Sequence, residues 1–470
     1  MSRIILHTEL NAENNAMLQA LYSRSIDSVT DHLEKLQATG SSKFMSSYYL
    51  GYGHASIGDC GTETLYFEGV SMLAAKALED NPLFVGQECS SRYIDFSNQP
   101  FHDPAPKNSE LSGKIGNLYA HYRDFYVSSL EPLKAALRVR FPIQDDDKAG
   151  VYEKAIMARA FDILRGFLPA SATTNVAWTA RLSNGGEHLI WMMHHPLKEV
   201  RELGVQAYKK MREKYPSSFH ASYAAIDEEQ IEAGLRFIEG DELYEFNSDF
   251  SNFYAKFHDV MDYNLVAKQV EIQTAVQLEE GVEELLEMFP SYKTRPKKTK
   301  LHKHALSSHA SVVMAATMDF GSFRDIQRHR NGYCSMPLIT GEYGVHPWYY
   351  ENLTDELRLE ADKLLLAVKN TYVSMSFDDE LSEEDSTNKF LVDNQYLLPM
   401  GNIVEVALRY SVQQAVYVAE LRSGKTVHAT VRPFAQALAS ELEFYGIPMF
   451  NDKDERSWTV KRGEQDIVQK

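Results

Sequence analysis

Two short polar stretches contain the residues best suited to recognising an anionic ligand. In "FRDIQRHRNGYC", Arg328, His329 and Arg330 are consecutive and precede an Asn-Gly pair. Far upstream, "GQECSSRYIDF" combines the hydroxyl of Ser90 with the guanidinium of Arg92. Arginine is suited to bidentate recognition of oxyanions, and hydroxyl groups can donate to phosphate oxygens. We therefore predict that the two stretches form one site for phosphorylated ligands.

The Arg-His-Arg cluster also has a purely structural explanation. The preceding residues fit a helix that turns Phe323 and Ile326 inward and stops at Asn331-Gly332, because Asn and Gly tolerate the left-handed conformation. Cations in the last turn would complement the helix dipole by about 0.3 to 1 kcal/mol each. Three adjacent side chains spread around most of a turn, however, so at least one must face the protein, where an unpaired guanidinium is costly. An anionic ligand would remove that cost.

The "ECSSRY" loop supports more than one interpretation. Glu88 and Tyr93 add an acceptor and a further hydroxyl to the proposed phosphate site. Alternatively, this is an ordinary loop in which the serines cap backbone groups and Arg92 pairs with Asp95. Cys89 could be a nucleophile, but no base can be assigned to it, and free cysteines are most often small buried hydrophobes.

The composition narrows the possible partners and compartments. The chain has 470 residues, more than one hydrophobic core usually organises, so at least two domains are expected. Its net charge of -18 argues against general binding of nucleic acid or anionic membranes, so an anionic ligand needs a local basic pocket. We expect neither a membrane span nor a signal peptide, and three scattered cysteines fit a reducing compartment. A cytoplasmic location is therefore predicted.

The domain organisation follows from similar segments that occur in the same order in both halves. The first-half segments are "GHASIGD" (53–59), "FEGVSMLAAKALEDN" (67–81), "RGFLPASATTNVAW" (165–178) and "HHPLKEVRELG" (194–204). Their second-half counterparts are "SHASVVM" (308–314), "DFGSFRDIQRHRN" (319–331), "QYLLPMGNIVEVAL" (395–408) and "LRSGKTVHATVRPFAQ" (421–436). Each half is interpreted as His-Ala-Ser, an amphipathic helix, a Leu-Pro turn and a long helix. We predict two copies of one domain, at residues 1–230 and 231–470.

These motifs resemble those of the flavin-dependent thymidylate synthases, whose signature is R-H-R, seven spacer residues and S-x-R-Y. Here the signature is split between the two copies. The second copy has R-H-R (328–330), but "LITG" (338–341) stands where S-x-R-Y should follow. The first copy has S-x-R-Y (90–93), with Glu88 at the acidic position, but "DNP" (80–82) stands where R-H-R should be. Because the losses are complementary, we predict one composite site built from both copies.

Other positions extend the resemblance. His54 and Ser56 match the family's G-H-x-[ST] region, and His195 falls where the family has a histidine on its last helix. Arg422 in "ELRSG" matches the arginine that contacts the pyrimidine, whereas the corresponding position of the first copy lies close to Trp191. The chain also departs from the family, which has a glutamine three residues before R-H-R where this sequence has an aspartate.

The resemblance implies a fold and an assembly. We expect an α+β fold with a mixed or antiparallel sheet and long helices in each copy. In the family, the active sites lie between the subunits of a homotetramer. A duplicated chain would then form a homodimer that corresponds to a pseudo-tetramer.

The resemblance also implies a reductive methylation at C5 of the uracil in dUMP or a related pyrimidine nucleotide. FAD would be the cofactor, with NADPH and methylenetetrahydrofolate as co-substrates. By the same resemblance, the nucleotide would contact Glu88, Ser90, Arg92, Tyr93 and Arg422; the flavin would contact Arg328, His329, Arg330, His54, Ser56 and His195; and Arg422 and Arg328 would act in catalysis.

Two alternatives stay open at this point. The chain could be a non-catalytic or regulatory paralogue that kept a flavin or nucleotide pocket, because Asp325 replaces the family's glutamine and could repel a phosphate. His302, His304 and His309 could be called a metal cluster, but no carboxylate or cysteine completes the set at a usual spacing. We expect no metal site.

Overall fold

The computed structural model describes residues 10–225 except 26, 93 and 146, residues 230, 275–278, 284 and 287–288, residues 311–374 except 337, 338 and 342, and residues 393–450 except 425 and 426. The chain divides into two compact units. Unit 1 comprises Met1–Val70, Ala77–Glu88 and Thr174–Asp249, and unit 2 comprises Ser71–Lys76, Cys89–Thr173 and Phe250–Lys470. These units do not coincide with the predicted copies, since unit 2 includes part of each. The predicted boundary at residues 230 and 231 stays a prediction, because most of the chain around it lies outside the described residues.

The secondary structure alternates helices with two groups of strands. The first part contains α1 (Ala12–Tyr22), α2 (Val29–Thr39), α3 (Ser42–Phe44), a π-helix (Met45–Gly51), α4 (Ala55–Gly58), β1 (Thr62–Ser71), α5 (Met72–Glu79), β2 (Val85–Glu88), α6 (Ser109–Arg140), α7 (Ala149–Leu164), a 3-10 helix (Arg165–Phe167), β3 (Thr173–Arg181), α8 (Leu182–Met193), α9 (Lys198–Lys214) and α10 (Ala221–Ala224). The second part contains β4 (Ala275–Leu278), β5 (Ser311–Asp319), α11 (Phe320–Gln327), β6 (Gly332–Ser335), α12 (Pro347–Glu351), α13 (Asp355–Ser374), a 3-10 helix (Gln395–Leu397), β7 (Ile403–Ser411), α14 (Val412–Arg422) and α15 (Arg432–Phe444).

The strands form two sheets, one of three strands in the order β1-β3-β2 and one of four in the order β4-β5-β7-β6. In the first sheet β2 pairs antiparallel with β3, and in the second β4, β6 and β7 take part in antiparallel pairings. Together with the long helices, these sheets confirm the predicted α+β fold class. In β7, inward apolar residues such as Val404 and Leu408 alternate with outward Glu405 and Arg409, which is the period-two pattern of a strand with one buried face.

The same order of elements occurs twice. In each half a long strand leads into an eight-residue helix and a four-residue strand, and a later 3-10 turn leads into a nine-residue strand and a helix. The later strand lies between the other two in both sheets. This confirms the repeated pattern that the sequence comparison indicated.

Two details of the predicted repeat are wrong. The residues after each Leu-Pro turn form strands, β3 and β7, before the expected helices begin, because their alternating apolar residues bury one sheet face. The His-Ala-Ser segments are not equivalent either. Ser56 lies in α4, ahead of β1, whereas Ser311 is the first residue of β5. The shared tripeptide therefore occurs at two different positions of the fold.

Within unit 2, the two Leu-Pro turns bind each other reciprocally. Pro169 and Pro399 face each other in an antiparallel bridge. Four backbone hydrogen bonds surround it, with the donor named first: Ala170 to Leu398 (2.8 Å), Ser171 to Tyr396 (3.2 Å), Met400 to Leu168 (2.7 Å) and Gly401 to Gly166 (2.9 Å). Each bond from one turn has its counterpart from the other turn, so the two copies meet about a local two-fold axis here.

The second turn also holds the start of α11. The backbone N–H groups of Phe320 and Gly321 donate to the carbonyl oxygens of Asn402 and Met400, both at 3.0 Å. These bonds satisfy two of the donors that an α-helix leaves unpaired at its N-terminus. Because Arg165 lies just before the first turn, the reciprocal pairing brings this arginine to α11.

Among the described residues, we found no helix that is both long and apolar enough to cross a membrane.

The close contact of β6 with β7 gives a stability prediction. A Cβ atom added at Gly332 would lie 2.2 Å from Cδ1 of Tyr410 and 2.4 Å from the carbonyl oxygen of Arg409. Gly332→Ala should therefore lower the free energy of unfolding by about 1 to 3 kcal/mol through overpacking. As a control, Gly113→Ala in α6 adds a Cβ with nothing within 4 Å and should raise it by about 0.5 to 1 kcal/mol. Urea denaturation of the two variants measures both effects, and equal changes would contradict the packing argument.

Candidate functional site

The Arg-His-Arg cluster follows α11 directly. Phe323 and Ile326 are fully buried, as predicted, but the helix ends at Gln327, and Arg328 is its C-cap residue. The cluster therefore lies just beyond the helix and not within its last turn. The expected left-handed stop is also wrong, since Gly332 has no positive φ and is instead the first residue of β6. A glycine is needed there because the ring of the residue opposite leaves no room for a Cβ atom.

Arg422, the last residue of α14, is the most distinctive cation of the site. Its Nε donates to Nε2 of His329 at 2.7 Å, and its Nη2 donates to the backbone carbonyl oxygen of Asp325 at 2.7 Å. No carboxylate among the described residues forms an ion pair with Arg422. Burial lowers the pKa of Arg422, and the nearby Arg328 adds to this effect. A half-buried guanidinium held only by neutral acceptors is suited to receive an anionic or electron-rich group.

His329 is held in its neutral form. Its Nε2 accepts the hydrogen bond from Arg422, so the ring proton is assigned to Nδ1. Burial lowers the pKa of His329 to about 3, and the charge of Arg422 contributes in the same direction. The imidazole also packs edge-on against Tyr417, with ring centroids 5.7 Å apart. At neutral pH this histidine orients Arg422 and adds no charge of its own.

Arg92 is fixed by a bidentate ion pair. Its Nε donates to Oδ1 of Asp162 at 2.8 Å and its Nη2 to Oδ2 at 3.2 Å. Both side chains are buried. The alternative pairing with Asp95 is therefore wrong, because the partner comes from α7 and not from the loop. Ser90 is half-buried, and its Oγ accepts the backbone N–H of Arg92 at 3.3 Å, which is the capping role that the alternative assigned to the serines.

A second buried ion pair joins the two copies. Nη1 of Arg165 donates to Oδ2 of Asp325 at 3.3 Å, with only 2% and 8% of the two side chains exposed. Gly321 makes room for it, because a Cβ there would lie 3.2 Å from Nε of Arg165. Burial alone would raise the pKa of Asp325, but Arg165, Arg92, Arg422 and Arg328 hold it well below its usual value. Asp325 is thus an ionised carboxylate at neutral pH.

The structure consequently brings residues of both predicted half-motifs into one electrostatic cluster within unit 2. Arg92 comes from the first half-motif, and Arg328 and His329 come from the second. Arg92 and Arg328 both lower the pKa of the Asp325 carboxyl group. Both also lower the pKa of Arg422. These residues of the two half-motifs are thus electrostatically coupled, and the composite ligand site stays a prediction.

A hydrogen-bonded chain connects the cluster to the start of α11. Asp319 caps that helix by accepting the N–H of Ser322 at 2.9 Å, and it accepts the hydroxyl of Tyr349 at 2.7 Å. The backbone N–H of Thr430 donates to Nδ1 of His428, so Nε2 of that ring donates to the carbonyl oxygen of Asp162, at 3.0 Å. Burial lowers the pKa of His428 to about 3, and Arg165 contributes. Neutral histidines and ionised carboxylates therefore coexist in one buried network.

Most of the other predicted site residues belong to unit 1. Glu88 ends β2 opposite Val176 and belongs to unit 1, as do the exposed His54 and Ser56. His195, also in unit 1, is half-buried and its Nδ1 accepts the backbone N–H of Leu197 at 3.0 Å. Arg330 lies in unit 2, where it is half-buried. Tyr93 and the three histidines at 302, 304 and 309 lie outside the described residues.

At the corresponding positions, the first copy has residues that carry no positive charge. "DNP" directly follows α5 as R-H-R follows α11, and there Asn81 is buried and accepts a hydrogen bond from Asn184 at 3.2 Å. The position equivalent to Arg422, eleventh in its helix, is the buried Met192. Beside it, Trp191 stacks on His188, with ring centroids 5.0 Å apart. This part of unit 1 has the character of a core and not of an anion site.

Three functional candidates were missed by sequence reasoning: Arg165, Asp162 and His428. For Arg165 a signal existed, because it precedes the Leu-Pro turn at a position where the second copy has Gln395. That replacement is one more complementary difference between the copies. Asp162 lies 70 residues from its partner in sequence, and no local pattern marks it.

Comparison with known proteins adds a family match for part of the chain. Residues 3–217 match the family model described as thymidylate synthase complementing protein. A UPF0159 protein of Chlamydia muridarum is 24% identical over 436 residues, which covers 83% of this chain and 76% of that protein. A UPF0159 protein of Thermoplasma acidophilum is 21% identical over 502 residues, which covers 91% of this chain and 92% of that protein.

Among solved structures, the chain has partial similarity to a flavin dependent thymidylate synthase from Helicobacter pylori complexed with FAD and dUMP. It aligns with 45% of this chain and 96% of its own chain, at 13% sequence identity and a TM-score of 0.27.

The ion pair of Arg92 predicts a non-additive pair of mutations. Arg92→Leu should lower the free energy of unfolding by about 3 to 5 kcal/mol, because it leaves the buried Asp162 carboxylate without its guanidinium. The double variant Arg92→Leu/Asp162→Leu should regain most of that loss, since no buried charge remains. Chemical denaturation of both single variants and the double variant completes the cycle. Additive losses would contradict the assignment.

The buried histidines predict a loss of stability in mild acid. In the unfolded chain His428 takes up a proton near its ordinary pKa of about 6.5, but in the folded protein only near 3. The unfolded state therefore binds more protons below pH 6.5, and the free energy of unfolding falls by up to about 1.4 kcal/mol per pH unit for this group. His428→Gln should have a shallower slope between pH 6.5 and 4.5 in denaturation experiments. An unchanged slope would mean that His428 is not held neutral.

Proposed function

Because residues 3–217 match the family model described as thymidylate synthase complementing protein, we propose that this protein is a FAD-dependent thymidylate synthase-like enzyme. Its reaction would be the reductive methylation of C5 of the uracil ring in dUMP or a related pyrimidine nucleotide. Methylenetetrahydrofolate would supply the one-carbon unit, and NADPH would supply the reducing equivalents. A homodimer and a cytoplasmic location stay predictions of the sequence.

The observation that carries the proposal is the guanidinium of Arg422. It is half-buried, it has no carboxylate partner among the described residues, and two neutral acceptors fix its orientation. A guanidinium held this way is preorganised for negative charge that develops on a bound ring. An arginine at the uracil edge would stabilise the ring when C5 becomes nucleophilic. We assign this role to Arg422, with Arg328 as the second cation.

The residues beside Arg422 suit an anionic cofactor. Arg328 and Arg330 are half-buried cations on either side of the neutral His329, and they could meet the pyrophosphate and the electron-rich edge of FAD. When bound, FAD supplies the hydride that completes the methyl group. His329 keeps Arg422 oriented without adding positive charge. His54, Ser56 and His195 are assigned to the flavin by family resemblance.

The nucleotide contacts rest on the first half-motif. By family resemblance we assign the nucleotide to Glu88, Ser90, Arg92, Tyr93 and Arg422. Arg92 is fixed by Asp162, so its contribution would be a rigidly oriented positive edge, while Ser90 would add a hydroxyl donor. The organic chemistry then belongs to the cofactors, and the protein orients and electrostatically stabilises the ring.

A second function is favoured by one specific observation. Arg92 and Arg165 already form ion pairs with buried carboxylates, so two guanidinium groups are charge-compensated before any ligand binds. A non-catalytic or regulatory paralogue that binds flavin or nucleotide would tolerate this compensation. The two functions differ in whether dTMP is formed.

The test is the formation of dTMP by the full-length chain supplied with FAD, NADPH, methylenetetrahydrofolate and dUMP, measured by mass spectrometry. Arg422→Ala should weaken dUMP binding about 10- to 150-fold, as expected for losing charge-assisted hydrogen bonds worth about 1.5 to 3 kcal/mol, and should abolish dTMP formation. Arg422→Lys keeps the charge but not both donated bonds, and should lie between wild type and alanine.

Arg409→Ala is the matched control, because this arginine is exposed on β7 of the same unit. It should leave binding and dTMP formation unchanged. FAD binding without dTMP formation would favour the non-catalytic function. A chain that binds neither FAD nor dUMP would contradict both.

A further inference from the structure

We propose that Tyr417 is a further binding residue of the candidate site, and that its exposed ring stacks on a planar pyrimidinedione whose carbonyl edge meets Arg422. Uracil is such a ring, and the isoalloxazine of a flavin contains one, so the nucleotide and the cofactor are the two sources of this chemistry. The inference rests on the proposed function and names the part of the ligand that Tyr417 recognises.

Helix α14 is buried over most of its length and leaves a small apolar surface beside Arg422. Among its eleven described residues, only Tyr417 and Leu421 are exposed, at 40% and 41%. These two residues are four positions apart, so they lie on the same face of the helix. The exposed part of α14 next to Arg422 therefore consists of an aromatic ring and an aliphatic side chain, and it adds no charge.

Tyr417 is held close to the guanidinium by His329. The two rings pack at an interplanar angle of 73°, with their centroids 5.7 Å apart. The same imidazole accepts the 2.7 Å hydrogen bond from Nε of Arg422. Burial lowers the pKa of Arg422, and Tyr417 acts against this effect, so the phenol lies within electrostatic reach of the guanidinium. One histidine thus fixes both the ring and the cation before a ligand binds.

Arg422 keeps hydrogen-bond donors for such a ligand. A guanidinium has five N–H groups, and Nε and Nη2 of Arg422 use one each, on His329 and on the backbone carbonyl of Asp325. Among the described residues no acceptor takes the other three, and Nη1 is not shut off from solvent. Because a guanidinium can only donate, the edge of the ligand that it meets has to carry acceptors such as carbonyl oxygens.

The combination of groups favours a ring over a bare anion. A phosphate would bind the guanidinium but would gain nothing from the side chains of Tyr417 and Leu421. A planar ring gains from both kinds of group, because stacking on the phenol and burial of apolar area add to the hydrogen bonds at its edge. Proteins hold unstacked nucleic-acid bases in the same way, on an aromatic face with polar groups at the edge of the base.

The first copy lacks this combination. The residues equivalent to Tyr417 and Arg422, the sixth and eleventh of helix α8, are Glu187 and Met192. Glu187 has no ring on which a ligand could stack, and Met192 is buried and has no donor. We therefore expect this mode of ring recognition in the second copy only, which is consistent with one composite site in each chain.

The test is calorimetry on the full-length chain, with dUMP and FAD as separate ligands. Tyr417→Ala should weaken binding of at least one of them by about 5- to 150-fold, the range for losing the stacking of one base on an aromatic side chain. Tyr417→Phe keeps the ring and should stay within about three-fold of wild type. The ligand whose affinity falls is the source of the stacked ring. Unchanged affinities in Tyr417→Ala, or an equal loss in Tyr417→Phe, would overturn the proposal.

Two further variants separate stacking from packing. Tyr417→Leu fills the space against His329 without an aromatic face, and it should lose nearly as much affinity as Tyr417→Ala. A leucine variant that binds as tightly as wild type would show that this position only packs against His329, and would overturn the proposal. Phe444→Ala is the matched control, because it removes an exposed ring of α15 in the same unit, and it should change neither affinity.

The outcomes also separate this inference from the proposed function. Ring binding that depends on Tyr417, without formation of dTMP, would support the inference and contradict the catalytic function. Formation of dTMP by a chain whose affinities do not respond to Tyr417→Ala would overturn the inference alone. A wild-type chain that binds neither dUMP nor FAD would overturn both.

Discussion

The reciprocal hydrogen bonds between the two Leu-Pro turns are the interaction on which the candidate site depends. They pair Leu168 with Met400 and Leu398 with Ala170, so that each turn satisfies the backbone groups of the other. The same turns hold the N-terminus of α11 and place Arg165 against it. Without this pairing, the arginines of the first copy would have no fixed relation to those of the second. A duplicated chain can thus make within unit 2 a contact that unites its own two halves.

The local symmetry of the backbone contrasts with the asymmetry of the charges. Arg165 of the first copy corresponds to Gln395 of the second, and Arg422 of the second copy corresponds to Met192 of the first. At each of these positions, one copy has a cation where the other has a neutral residue. After a duplication, each copy can lose ligand-binding residues that the other copy retains. One copy can then concentrate arginines near its ligand. The equivalent region of the other copy packs aromatic rings instead, such as those of Trp191 and His188. Several arginines are thereby concentrated around Asp325 within unit 2 of an acidic protein.

Much of this organisation could be predicted from sequence. The rest could not, because it depends on contacts between residues that lie far apart in the chain. The repeated order of segments predicted the fold class and the repeated order of elements, and the split motif predicted that Arg92 and Arg328 act on one cluster. The partner of Arg92 could not be predicted, since local spacing favoured Asp95 and the ion pair is made with Asp162 in another helix. The strand after each Leu-Pro turn has a visible period-two alternation, but it runs directly into a helix, so the prediction of one long helix did not separate the two elements.

We propose that the two copies together supply one ligand site in each chain. Native mass spectrometry of the full-length protein, titrated with FAD and a pyrimidine nucleotide, measures this stoichiometry directly. The composite site predicts saturation at one flavin and one nucleotide per chain, whatever the number of chains in the assembly. Saturation at two of each per chain would mean that each copy holds a complete site of its own, and the account of complementary losses would be wrong.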